Sequence, residues 1–133
     1  MSGTSLALIF VTVSNTLGLP EGLLSAVCWV ESSHRPMAIN LEDGVGPSLG
    51  ICQIKFATAR LMGFMGTPTQ LMNPKVNAHY AGKYLAWQMD RYDYDVTKAV
   101  AAYNSGTHLV NSKGQTKNQS YVNKVMEAWD EER

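Results

Sequence analysis

The sequence predicts one mostly α-helical domain, interrupted once by a long loop or small β-hairpin. Three observations predict it. Apolar residues recur at spacings of three and four in segment after segment, as the buried stripe of a helix requires. Helix punctuation surrounds those segments: Pro near a start, Gly after a stop. Residues 34–52, rich in Pro, Asn, Asp, Ser and Gly, form a long stretch with little of that periodicity.

The elements follow in order. A first helix is expected over 5–17, ended by Gly18. Pro20 opens a second, with Glu21 placed favourably for the helix dipole, and it runs to Ser33. The irregular stretch comes next, with a possible hairpin around Asp43, Gly44, Val45 and Gly46. A third helix covers 53–62 and stops at Gly63. A short helical turn lies between Pro68 and Pro74. Asn73 and Pro74 form a cap and first-turn pair for a long helix over 74–91. There Val76, Tyr80, Tyr84 and Trp87 make one buried stripe. Asp95 caps a helix over 96–104 with Ala99, Val100 and Tyr103 on one side, and Gly106 breaks it. Residues 107–119 read as a polar, solvated loop. The last helix, 120–130, aligns Val122, Val125, Met126 and Trp129.

Composition narrows the class. The 133 residues suit a single domain spanning 1–133, and a chain this long buries roughly 68–70% of its unfolded surface. Acidic and basic residues number 11 each, so no basic face for nucleic acid is expected. No apolar run reaches the ~18 residues of a membrane span. The stretch LALIFVTV (6–13) reads as a core helix rather than an export signal. No Lys or Arg precedes Arg35, and no small-residue cleavage site follows it. Cys28 and Cys52 lie in apolar runs and read as two buried, reduced thiols, with a single bridge between them as the alternative. Neither has a second Cys or His at metal-ligand spacing, so no zinc or other metal site is expected.

The stretch VCWVESSHRP (27–36) carries the chemistry. Leu24, Val27 and Cys28 stand seven, four and three residues before Glu31, so the carboxylate shares the apolar face of its helix. Burial and a helix C-terminus both disfavour a charged carboxylate. A glutamic acid kept protonated near neutral pH can act as a general acid. Alternatively, Glu31 reaches water or caps nearby backbone. His34 reads as an exposed loop residue, with an approach to Glu31, three residues away, as the alternative; His79 and His108 have no evident partner.

Five segments in order widen the view: ESSHRP (31–36), SLGICQI (48–54), NPKVNAHYAGKYL (73–85), AAYNSG (101–106) and YVNKV (121–125). Their sequence and spacing resemble the soluble lytic transglycosylase family, which has the α+β lysozyme-like fold. The resemblance implies cleavage of the β-1,4 bond between N-acetylmuramic acid and N-acetylglucosamine in peptidoglycan, with no cofactor. It implies Glu31 as the catalytic residue and Gln53 as a sugar contact. It implies Tyr103 as the residue that orients Glu31, Asn104 as a sugar-binding residue, and Tyr121 as a wall of the cleft. Ser32 and Gly50 would support the site.

Two departures stand out. Asn40 occupies a position where some members have a Ser that assists the substrate's acetamido group. The segment before Gly50 is also some four residues longer and includes Glu42 and Asp43. Asp43 could activate water and make the enzyme a hydrolysing muramidase, or it could be plain turn chemistry. A wall-binding module without activity is the competing class. The expected partner is the glycan strand, met by a monomer outside the cytoplasm. Because no export signal is visible, a phage-encoded protein is the expected source, with a trimmed bacterial periplasmic protein as the alternative.

Overall fold

The computed structural model describes residues 3–41 and 46–132. Its elements are α1 (Gly3–Leu17), α2 (Leu23–Ser32), β1 (Ile39–Asn40), β2 (Ser48–Leu49), β3 (Ile54–Lys55), α3 (Phe56–Leu61), α4 (Pro68–Leu71), α5 (Pro74–Arg91), α6 (Val96–Ser105) and α7 (Gln119–Glu132). The fold is mostly helical with one small antiparallel sheet of order β1-β2-β3. In register, Asn40 faces Ser48 and Leu49 faces Ile54.

α2 is the central helix. Leu23, Leu24, Ala26, Val27 and Cys28 are fully buried, so the element is apolar almost all round. It packs on α7, while α5 packs on α1 and α6. Ile51, Leu71, Leu85, Met89, Val100, Val122 and Val125 complete the core. Each such side chain contributes about 1.5–3 kcal/mol through burial. α1 joins this core through Phe10 and Val13, leaving Leu8 and Val11 exposed. Among the described residues, no helix is long and apolar enough to cross a membrane.

Several expectations need correction. α2 begins at Leu23, not Pro20, because Gly22 takes a left-handed conformation (φ 82°) that helix cannot propagate through. A Cβ there would stand 2.9 Å from Glu132 Cβ, so α7 occupies the space. The helix expected from residue 53 starts at Phe56, because 54–55 form a third strand that the sequence did not signal. The hairpin strands lie where expected, but its turn at Asp43 falls outside the described residues.

The stripe assigned to α5 is rotated. Its fully buried face is Asn77, Ala78, Ala81, Gly82, Leu85, Gln88 and Met89, while Trp87 is 49% exposed. Two amides on that face carry hydrogen bonds to other elements, which is why polar residues are inside. Finally, Cys28 and Cys52 are not free thiols. They form a disulfide between α2 and the turn after β2.

Candidate active site

Glu31 sits on the last turn of α2, half-buried. The helix stops there because Ser33 and His34 both adopt left-handed backbone, at φ 57° and 58°, and Ser33 N–H donates to the Trp29 carbonyl at 2.7 Å. Two ties then fasten this helix end to the β2–β3 turn. The Ser32 hydroxyl donates to the Ile51 carbonyl at 2.6 Å. Three residues before Glu31, Cys28 is bridged to Cys52.

A third tie comes from α5. Asn77 is fully buried, and its Nδ2 donates to the carbonyls of Leu49 and Leu71 at 2.8 and 2.9 Å. Its Oδ1 accepts the Cys52 N–H at 2.9 Å. Gly50 makes this possible: its φ is +80°, and a Cβ would stand 2.3 Å from Asn77 Nδ2. The turn delivers Gln53, itself left-handed at φ 53°. The Gln53 Nε2 donates to the carbonyls of Ala38 and Gly50, both at 3.0 Å. Both amide hydrogens are thereby used, which leaves Oε1 as the end able to accept from a ligand.

Tyr103, on α6, is buried and donates its hydroxyl to the Cys52 carbonyl at 2.7 Å. Tyr121, in the first turn of α7, donates its hydroxyl to Glu31 Oε2 at 2.7 Å. Burial, then the nearby Glu31 charge, pushes both phenols well above their ordinary pKa, so both remain donors. Asn104 lies exposed near the α6 C-terminus and accepts from Asn118 Nδ2 at 2.9 Å.

A cavity of about 310 Å³ opens here, lined by Glu31, Gln53, Tyr103 and Asn104 together with Ser48, Lys55, Thr58 and Tyr84. It has one carboxylic acid, two amides and two aromatic rings, the functional groups that suit a polar ring-shaped ligand.

The family description "Transglycosylase SLT domain" matches residues 10–125. The chain belongs to this family. It is 34% identical over 101 residues to the peptidoglycan transglycosylase gp16 of Escherichia phage T7, covering 74% of this chain and 7% of that protein. It is 35% identical over 108 residues to a transglycosylase of Enterobacteria phage PRD1, covering 81% and 37%. A crystal structure of an inactive glutamate-to-glutamine mutant of the lytic transglycosylase Slt from Pseudomonas aeruginosa shares the fold. Its TM-score is 0.77 at 21% identity, over 92% of this chain and 23% of that one. The chain therefore spans well under half the length of these relatives.

Within this SLT domain, the structure brings Glu31, Gln53, Tyr103 and Asn104 to one cavity. Ser32 and Gly50 lie in its supporting turn contacts. The hydroxyl that meets Glu31 at 2.7 Å is that of Tyr121, expected only to line the cleft. That of Tyr103, expected to orient the acid, meets the Cys52 carbonyl. Asn40 is exposed on β1 and is not among the lining residues; its strand partner Ser48 is. His34 is half-buried, packs on Phe10 and Trp29, and bonds to Ser25 through Nε2, so it belongs to the opposite side of α2. His108 has Thr116 as its partner, at 2.8 Å.

Sequence reasoning missed Tyr84, Asn77 and Gln88. Tyr84 lines the cavity, and Gln88 Nε2 donates to its hydroxyl at 3.0 Å and to the Gly106 carbonyl at 3.1 Å. The available signal was a polar residue repeated on the apolar side of a long helix.

Proposed function

We propose that the chain cleaves the β-1,4 bond between N-acetylmuramic acid and N-acetylglucosamine in peptidoglycan by lytic transglycosylation. The observation that carries this reading is Glu31 facing a cavity shared with Gln53, Tyr103 and Asn104, its Oε2 held by Tyr121. Tyr121 donates to Oε2, and in this reading Glu31 carries the transferable proton on Oε1. Glu31 gives that proton to the bridging oxygen as the glycosidic bond breaks. The substrate's acetamido oxygen stabilises the positive charge growing at C1. The resulting carboxylate takes the proton from the muramic acid C6 hydroxyl as O6 bonds to C1. The products are a 1,6-anhydro end and a new N-acetylglucosamine end. Glu31 returns to its starting state and no water is consumed.

Glycosidases usually employ two carboxylates. Here the lining residues include one, Glu31, among the described residues. The phage relatives support a phage-encoded protein acting on the host wall.

Mass spectrometry of digested sacculi tests the reading. The native chain is expected to yield anhydro-muropeptides, lighter by one water than muramidase products, and Glu31→Gln to yield almost none. Reducing muramic acid ends would overturn the transglycosylase assignment in favour of hydrolysis assisted by Asp43. Equal digestion by Glu31→Gln would remove Glu31 from the reaction.

A further inference from the structure

We infer that Asn118 is a positioning residue that turns the amide nitrogen of Asn104, rather than its oxygen, toward the cleft. That orientation makes position 104 a receptor for the carbonyl oxygen of an N-acetyl group. The inference rests on the glycan reading of the cleft given above.

The argument follows from which groups can only accept. Asn118 Nδ2 stands 3.0 Å from the Ala101 carbonyl oxygen and 2.9 Å from Asn104 Oδ1. A backbone carbonyl cannot donate, so the Asn118 atom facing Ala101 is the nitrogen. Its second hydrogen reaches Asn104, and the atom that receives it is the oxygen. The reverse orientation of Asn104 would set two NH₂ groups, both donors, against each other. Asn118 keeps this arrangement although its own Oδ1 is buried and has no hydrogen-bond partner. Leaving a buried oxygen unsatisfied is costly, so the nitrogen contacts outweigh it. Asn104 is exposed, lines the cavity, and is left with both Nδ2 hydrogens free for a ligand.

Sugar hydroxyls both donate and accept, so they would tolerate either end of Asn104. An acetamido carbonyl only accepts and requires a donor. Gln53 is fixed the opposite way, with its hydrogens on Ala38 and Gly50 and its oxygen free. The cleft thus presents one donor amide and one acceptor amide, each oriented by the protein before any ligand arrives.

The test uses the full chain carrying Glu31→Gln, which cannot turn over a ligand and has no charge at 31 to repel a nearby carboxylate. The probe is the β-1,4 tetramer of N-acetylglucosamine, followed by calorimetry and by the side-chain amide signals in ¹H–¹⁵N spectra. The Asn104 NH₂ signals should move on saturation. Asn104→Asp should weaken binding as much as Asn104→Ala, about tenfold, because both lack the donor. Asn118→Ala should weaken it about three- to tenfold although residue 118 touches no sugar.

Parent-like binding by Asn104→Asp overturns the inference, as do unmoved Asn104 signals or parent-like binding by a folded Asn118→Ala chain. The Asn104 pair decides alone if Asn118→Ala does not fold, since residue 104 is exposed. If the parent ignores the tetramer, the glycan reading falls too. If the parent binds and the variants match it, only this inference falls.

Discussion

Glu31 and Tyr121 are 90 positions apart in the chain and 2.7 Å apart in space. Once Glu31 has given up its proton, that bond is to a charged group, which contributes about 1.5–3 kcal/mol. Tyr121→Phe removes that donor while keeping the ring, so kcat should fall about tenfold or more with little change in KM. Steady-state kinetics on soluble glycan strands check this, and an unchanged kcat would show that Tyr121 does not act on the acid. Gly50→Ala tests the supporting turn, where a left-handed φ coincides with a 2.3 Å approach to Asn77. Denaturant titration should show a loss of more than about 2 kcal/mol. At this scale Glu31 was legible, since counting back by three, four and seven placed it on the apolar face. The different partners of Tyr103 and Tyr121 were not, because they depend on how α6 and α7 approach α2 and not on spacing within either helix.

α5 shows what periodicity captures and what it leaves out. Its start at Pro74 follows from Asn73, whose side chain accepts from the N–H groups of Lys75 and Val76. Its inward face did not follow, because aromatic residues at the right spacing outweighed two amides. Yet Asn77 satisfies three buried backbone groups belonging to β2, the β2–β3 turn and α4. Asn77→Ala would strand all three, so a loss of about 3 kcal/mol is expected, together with weaker glycan binding as Gln53 loosens. Thermal unfolding and titration check both; full affinity in the folded variant would show that the turn holds without Asn77. The β3 strand escaped the sequence because two residues give no alternation to count. The bridge between α2 and that turn was only the alternative reading, because two cysteines, 24 residues apart, define no framework. Closing a loop of this length stabilises a fold by about 3 kcal/mol. Cys28→Ser with Cys52→Ser should therefore lower Tm by several degrees, and an unchanged Tm would show that the bridge adds no stability.

For the molecule as a whole, helix order and the single irregular excursion were readable because each helix carries its own caps and stops. How the helices close around one cavity was not. Alkaline pH tests that closure. Tyr84, Tyr103 and Tyr121 are all held above the ordinary tyrosine value by burial. With the folded pKa raised, the unfolded chain releases its protons first. The stabilisation is complete below about pH 10, the unfolded value, and is lost as pH rises through the folded values. Tm should hold up to about that pH and then decline, with a shallower decline in Tyr103→Phe; identical slopes would assign the loss to other groups. The single cross-link has a practical meaning for anyone preparing the protein. Material from a reducing cytosol and material from an oxidising compartment would differ by two hydrogens right behind the acid. A free-sulfhydryl count of none or two separates these populations, and rates measured on different batches are comparable only once that count agrees.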